Sequence, residues 1–188
     1  MIIEIENFLP KSLQDHLENH LTSNSFPWYF IKDVTKEFTT PDEYYQPGFH
    51  HTPFKEGKPH SIEYDQILFL PHLIQNVLEK DNLILHRIRY GMNIRSVGQN
   101  NDHNIPHLDF PDNFPFKNYT CLYYVNNSDG DTVIFNEVIR SKKYTVLSRV
   151  EPVKGKLCIF DGKYFHASSP PKNSDHRIVM TLNFYEPI

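Results

Sequence analysis

Hydrophobic residues follow two different periods, one in the first 80 residues of the chain and another beyond residue 81. Leu9, Leu13, Leu17 and Leu21 recur every four residues, which predicts a helix with one apolar face. Apolar residues at the start of the chain predict a short strand ahead of this helix. A second helical region is predicted over residues 62–80, with a break or kink at Pro71, because proline disrupts a helix interior.

The segment 27–59, between these helical regions, is rich in Tyr, Phe and His and shows no clear period. It is predicted to form extended loops with room for one strand. Within it, residues 44–51 form an aromatic loop that ends in His50 and His51 and would suit stacking on a ring. A loop that contacts substrate and a solvated loop both remain open for these histidines.

Beyond residue 81 the pattern becomes alternating, as in β-strands. Ile88 and Tyr90 fall on one face of a strand, and Arg87 and Arg89 fall on the other. Further strands are predicted at residues 119–125, 132–137, 144–150, 156–160 and 177–186. Helices followed by a run of short strands predict an α+β, mainly β domain whose strands close into a sandwich or barrel. We expect one domain over 1–188, in which 1–80 supports a core formed by 81–188.

Composition narrows the functional classes. The formal net charge of −4 argues against broad electrostatic binding of nucleic acid. Cys121 and Cys158 lie in apolar runs and are expected to be free, buried thiols. The first residues do not resemble a signal peptide, and no apolar stretch approaches the length of a membrane span. These features predict a cytoplasmic protein without a membrane anchor.

The segment Ile105-Pro-His-Leu-Asp-Phe contains candidate metal ligands. In an extended chain, residues i and i+2 point the same way, so His107 and Asp109 can reach one ion together. His166 follows a predicted strand and is the natural third ligand. Two imidazoles and one carboxylate suit iron(II) and leave positions open for a co-substrate and dioxygen. Structural zinc would need a fourth ligand, usually sulfur.

Arg177 stands eleven residues after His166, at the start of an apolar strand. Alternation places Arg177, Val179, Thr181 and Asn183 on one face. A fixed guanidinium can bind a carboxylate through two hydrogen bonds, and a nearby hydroxyl can share that role. 2-Oxoglutarate has a carboxylate at one end and a metal-chelating keto acid at the other, so Arg177 and the metal ligands match both ends.

Residues 83–185 resemble the prolyl-4-hydroxylase-like branch of the iron(II)/2-oxoglutarate dioxygenases. The matching stretches are Arg89-Tyr90-Gly91, His107-Leu-Asp109, Thr120-Cys-Leu-Tyr-Tyr-Val-Asn126, Asp129-Gly-Asp-Thr-Val-Ile-Phe135, residues 153–160, His166 and Arg177. The resemblance implies a double-stranded β-helix, a jelly-roll or cupin-like barrel with the N-terminal helices packed outside.

The resemblance also implies roles for individual residues. His107, Asp109 and His166 would be the iron ligands, with Arg177 on the distal carboxylate of 2-oxoglutarate. Tyr124 would hydrogen-bond that carboxylate, Tyr90 would line the same pocket and Thr181 would lie beside Arg177. One departure concerns the segment before residue 132, where the family often has two adjacent glycines and this chain has Asp129-Gly-Asp.

The implied activity couples oxidative decarboxylation of 2-oxoglutarate by O2 to hydroxylation of a substrate, with ascorbate as a further candidate cofactor. A carboxylate ligand at Asp109 argues against halogenation. A peptidyl proline is the first candidate substrate. The same chemistry on a small molecule, nucleotide or sugar is the alternative, and a non-catalytic cupin-like binding module is a third. The sequence predicts neither the substrate nor the oligomeric state.

Overall fold

A computed structural model describes residues 1–34, 46–95 and 102–187, and β-strands predominate in them. The helices are α1 (Lys11–Leu21), a 3₁₀ helix (Ile62–Ile67) and α2 (Leu70–Leu78). The strands are β1 (Ile2–Ile5), β2 (Tyr29–Ile31), β3 (Gly48–Lys55), β4 (Lys58–Pro59), β5 (Ile84–Ile94), β6 (Asn118–Tyr124), β7 (Thr132–Phe135), β8 (Val146–Val150), β9 (Leu157–Asp161), β10 (His166–Ser168) and β11 (His176–Tyr185).

The strands form two antiparallel sheets. The larger sheet has the order β1-β9-β6-β11-β5-β3-β2, with β4 paired to β3, and the smaller has the order β10-β7-β8. Apolar residues from both sheets form a common core: Leu122 and Tyr124 of β6 pack with Ile134 of β7 and Val150 of β8. Two sheets that face each other across such a core form the predicted double-stranded β-helix.

The helices cover the outer face of the larger sheet, as predicted. Leu17 and Leu21 of α1 and Ile74 of α2 pack with Ile88 of β5 in a second core. The predicted helix break at Pro71 is displaced in the structure. Pro71 lies in the first turn of α2, where its missing N–H costs little, and the break falls ahead of it, after the 3₁₀ helix.

The segment between the helices is more ordered than its pattern indicates. Residues 48–55 form β3, which pairs with β5 and carries a bulge between His51 and Phe54. That irregularity hides the strand period in the sequence. Of the predicted aromatic loop 44–51, residues 44 and 45 lie outside the described residues, whereas Gly48 to His51 belong to this strand.

The two cysteines have the state that their apolar sequence surroundings predict. Cys121 and Cys158 are free and buried. In the parts of the chain that the structure describes, no helix combines the length and the apolar character that crossing a membrane requires.

Candidate metal centre

His107 and His166 are joined through their backbones. The His107 amide donates to the His166 carbonyl oxygen at 2.9 Å, and the His166 amide donates to the His107 carbonyl oxygen at 3.0 Å. His166 begins β10, which pairs with β7 in the smaller sheet. The segment that carries His107 and Asp109 is therefore attached to the edge of this sheet, and its side chains face the cavity between the sheets.

The side chains of His107, Asp109 and His166 converge on one point. One potential ligand atom of each lies within 4.8 Å of the others, and His166 Nε2 is 3.6 Å from Asp109 Oδ2. Each histidine Nδ1 lies near the carbonyl oxygen two residues before it, at 3.2 Å for His107 and 3.3 Å for His166. An Nδ1–H that donates to this carbonyl leaves the Nε2 lone pair free for a metal ion.

Three neighbouring side chains orient the Asp109 carboxylate. Arg87 Nη2 donates to Oδ1 at 2.8 Å, whereas Thr120 Oγ1 and Asn183 Nδ2 donate to Oδ2 at 2.9 and 2.8 Å. Arg87 Nε also donates to Asn183 Oδ1 at 3.0 Å. Because these donors come from β5, β6 and β11, three adjacent strands of the larger sheet fix a group on the facing segment.

Burial and charge keep His107 and Asp109 in the ionisation states that a cation requires. Burial, together with the neighbouring His166, lowers the pKa of His107 to about 3, so its imidazole is neutral near pH 7. Burial alone would raise the pKa of Asp109, but the charges of His166 and Arg87 outweigh it and hold that pKa below its ordinary value. The neutral imidazole of His107, the imidazole of His166 and one negative oxygen form a donor set for a divalent ion.

Arg177 is buried at another part of the same pocket, with 3% of its surface exposed. Its Nη2 donates to Thr132 Oγ1 at 2.7 Å, and the Tyr124 hydroxyl donates to the same oxygen at 2.7 Å. Burial lowers the pKa of Arg177, and Tyr124 opposes that effect. Its Nε has no hydrogen-bond partner within the described part of the chain.

No carboxylate in the described residues forms an ion pair with Arg177. Asp131 is the carboxylate that influences the pKa of Arg177, but its Oδ2 lies 3.9 Å from Nη1 of Arg149. A buried guanidinium is costly unless an anion neutralises it. The Arg177 end of the pocket is therefore suited to an anionic ligand.

Thr181 and Tyr124, both predicted to bind the cofactor, differ in how close they lie to Arg177. Thr181 lines the pocket, but the hydroxyl that binds Arg177 belongs to Thr132 on the smaller sheet. Tyr124 lies beneath the guanidinium, whose carbon is 5.5 Å from the ring centroid. The structure brings Tyr124 beside Arg177, whereas Thr181 lies four residues further along β11.

The prediction that Tyr90 lines the pocket disagrees with the structure. Its ring packs in the core outside the larger sheet, 5.7 Å from the centroid of Phe26, and its hydroxyl donates to the Glu63 carbonyl oxygen at 3.2 Å. Its neighbours Arg89 and Gly91 line the pocket. Strand alternation therefore directs Tyr90 away from the metal ligands.

The other histidines considered from the sequence lie apart from the metal ligands. His51 is buried against Tyr90, and neither it nor His50 lines the pocket, although Phe49 does. His103 has its Nδ1 2.7 Å from the Asn104 carbonyl oxygen, and His176 also lies outside the group of potential ligands.

The sequence interpretation missed four side chains that support the site, namely Arg87, Thr120, Thr132 and Asn183. Asn183 shares the alternating face with Arg177 in the sequence pattern, and Arg87 shares a face with Arg89. The pattern therefore indicates that these two point inward. It contains no signal for the partner that each one binds.

Comparisons with known proteins give a consistent result. The sequence profile of the 2OG-Fe(II) oxygenase superfamily matches residues 92–185, half of the chain. No curated protein sequence matches significantly. Similar solved structures include a prolyl-4-hydroxylase from Pseudomonas putida, with a TM-score of 0.62, 16% identity and coverage of 100% of this chain and 93% of that one.

Two further structures share the fold. One is a prolyl hydroxylase from Trichoplax adhaerens in complex with a peptide fragment of hypoxia inducible factor, with a TM-score of 0.65, 15% identity and coverage of 98% and 83% of the two chains. The other is the non-haem, α-ketoglutarate-dependent epimerase SnoN from nogalamycin biosynthesis, with a TM-score of 0.67, 10% identity and coverage of 98% and 78%.

Proposed function

Since the chain belongs to the 2OG-Fe(II) oxygenase superfamily, we propose that His107, Asp109 and His166 hold its iron(II) and that Arg177 binds the distal carboxylate of 2-oxoglutarate. The protein is a non-haem iron(II) enzyme that uses 2-oxoglutarate as co-substrate. One observation carries the residue assignment: the potential ligand atoms lie within 4.8 Å of one another in a pocket that also contains a buried arginine without a carboxylate partner.

The residues present fit both cofactors. Two imidazole nitrogens and a carboxylate oxygen are the donor set of non-haem iron oxygenases, in which open positions accept a co-substrate and O2. The unpaired Nε of Arg177 is a free hydrogen-bond donor for a carboxylate. Tyr124 holds Thr132, and Thr132 in turn orients the guanidinium.

When bound, iron, 2-oxoglutarate and O2 supply an oxidant strong enough for a C–H bond, with succinate and CO2 as the other products. The chain positions these reactants. His107 and His166 offer ring nitrogens, and Asp109 offers a carboxylate whose orientation is fixed by Arg87, Thr120 and Asn183. Fixed dipoles of this kind need no reorganisation during the reaction.

We propose hydroxylation as the outcome, with a peptidyl proline as the first candidate target. The prolyl hydroxylases among the similar structures support this choice, and one of them is bound to a peptide. Hydroxylation of a small molecule, nucleotide or sugar is the second candidate, supported by the likeness to an epimerase of antibiotic biosynthesis. A non-catalytic cupin-like module would not need a buried, unpaired Arg177.

We further propose that residues 1–188 act as one domain in the cytoplasm. The pairing of β1 with β9 supports the single domain, because the first residues of the chain add an edge strand to a sheet whose central strands lie beyond residue 81.

Succinate release from 2-oxoglutarate, with iron(II), O2 and ascorbate present, tests the catalytic assignment. Wild-type protein should release succinate slowly alone and faster with its substrate, and His107→Ala should remove both rates. His72→Ala is the matched control, because His72 is exposed on α2. Equal rates for wild type and His107→Ala would contradict the assignment.

A further inference from the structure

Arg89 is an inward-facing guanidinium of the pocket that forms no ion pair with any described residue. It is half-buried, lies opposite Thr181 in the pairing of β5 with β11, and lines the same pocket as the potential metal ligands. Within the described ranges it makes neither a hydrogen bond nor an ion pair. By contrast, Arg87 binds both Asp109 and Asn183, and Arg177 binds Thr132.

The two cofactors do not account for Arg89. The keto acid end of 2-oxoglutarate is directed to the metal, and its distal carboxylate is assigned to Arg177. The charges of iron(II) and 2-oxoglutarate cancel formally, and so do those of Asp109 and Arg87. Arg89 and Arg177 then remain as cations, and Arg177 already contacts one of the two carboxylates.

A half-buried charge without a partner lowers stability, because part of its hydration is lost on folding. Desolvation accordingly lowers the pKa of Arg89, and the nearby Arg87 adds to this effect. Asp109 opposes these two effects through its charge, but the hydrogen bonds to its carboxylate in the described residues come from other side chains. A ligand with a negative charge would remove this cost.

We propose that Arg89 binds a carboxylate or phosphate group of the primary substrate and so selects an anionic molecule. This inference rests on the proposed function, because it assumes that Arg177 and the metal take the two ends of 2-oxoglutarate. The planar fork of Arg89 can donate two parallel hydrogen bonds to either anion. The substrate carbon to be oxidised would then lie between Arg89 and the potential metal ligands, which line one pocket.

Calorimetry on the loaded protein tests the anion site. Protein containing Mn(II) and saturating 2-oxoglutarate under nitrogen is titrated with inorganic phosphate. Phosphate should bind the wild type, bind Arg89→Gln at least about tenfold more weakly, and bind Arg89→Lys with intermediate affinity. Arg95→Gln is the matched control, because Arg95 pairs with Asp175 outside the pocket. Equal phosphate binding by wild type and Arg89→Gln, or none by either, would overturn the inference.

A second titration separates the substrate from the co-substrate. Binding of 2-oxoglutarate to the Mn(II) protein should be unchanged in Arg89→Gln. A loss as large as that in Arg177→Ala would assign Arg89 to the co-substrate and reject the inference. Failure of the wild-type Mn(II) protein to bind 2-oxoglutarate would instead refute the proposed function, so the two failures are distinguishable.

A third measurement needs no variant, so it is independent of any folding defect. Matched pairs of compounds, each an acid and its neutral amide, are compared as stimulators of 2-oxoglutarate turnover by the wild type. Pairs that stimulate turnover should favour the acid by about tenfold or more, the scale of one charged hydrogen bond. Equal stimulation by acid and amide would show that no anion is selected.

Discussion

Arg87 donates its Nη2 hydrogen to Asp109 Oδ1 at 2.8 Å, across 22 residues of sequence and from one sheet to the segment attached to the other. The pair is mostly buried, with 22% of the Arg87 side chain and 7% of the Asp109 side chain exposed. Because Thr120 and Asn183 bind the other carboxylate oxygen, Asp109 is held from both sides. Its orientation is therefore set by the protein before a metal ion binds.

Replacing Arg87 by Met should weaken iron(II) binding by about 10–100-fold, the usual effect of losing a group that orients a metal ligand. Competition with a chelator of known affinity measures this change. The fold should survive, since Thr120 and Asn183 still bind Asp109. Arg87→Lys keeps the charge but loses the Nε hydrogen bond to Asn183. Its iron(II) affinity should lie between those of the wild type and Arg87→Met. Unchanged affinity in Arg87→Met would contradict this role.

Arg177→Ala should raise the Kd of 2-oxoglutarate roughly 100-fold, or about 3 kcal/mol, because the distal carboxylate would lose a buried charged partner. Calorimetry on Mn(II)-loaded protein without O2 gives this value directly. Arg95→Ala removes a half-exposed arginine that pairs with Asp175 and should leave the Kd unchanged. If both variants bind equally well, Arg177 does not hold the co-substrate.

Gly130→Ala should weaken 2-oxoglutarate binding through Arg177. A Cβ at Gly130 would lie 2.6 Å from the Ser169 carbonyl oxygen and 3.2 Å from Arg177 Cδ. Either the backbone or the arginine must shift, at a cost of about 1–3 kcal/mol in stability. Thermal denaturation and 2-oxoglutarate calorimetry measure the two effects. Gly91→Ala, where a Cβ meets nothing within 4 Å, should leave the melting temperature almost unchanged.

Asp129 should make stability depend on acidic pH. Its carboxylate accepts hydrogen bonds from the backbone of Lys172, Asn173 and Ser174. Burial raises its pKa, but the hydrogen bonds together outweigh burial and lower the pKa to about 2. The folded-state pKa is below the ordinary value, so the stabilisation is complete above about pH 4 and is lost as pH falls towards 2.

Urea unfolding of wild type and Asp129→Asn measures this contribution. The variant should be less stable by about 1 kcal/mol at pH 7, after allowance for solvent screening of an exposed group. The difference should shrink towards pH 3. Asp81→Asn, an exposed aspartate in a turn, serves as the control. A constant difference across this pH range would exclude a contribution from the Asp129 charge.

Local sequence patterns predicted the helices and strands that have a clear hydrophobic period of their own. The Leu9 to Leu21 stripe predicted α1, and alternation predicted β5 with Arg87 and Arg89 on one face and Tyr90 on the other. The family resemblance implied that Tyr90 lines the pocket, but the alternating pattern describes its actual position. A residue matched by motif can therefore face away from the site when the strand phase directs it outward.

Contacts between distant strands could not be predicted. Thr132, not Thr181, binds Arg177, because the pairing of the sheets brings residues 45 apart in sequence together. Nothing in a single sequence states which of two threonines on inward faces will be close to a given arginine. The same limit applies to β3, whose bulge removes the regular alternation that would identify it as a strand.

The mutual backbone hydrogen bonds of His107 and His166 have a consequence for metal exchange. They join the two segments that carry the histidines without any contribution from an ion. Loss of iron should therefore leave a folded protein with its ligands still close together. Reloading would require little ordering of the chain, so its rate should be limited by ion dehydration and access, and other divalent ions should enter the vacated position readily.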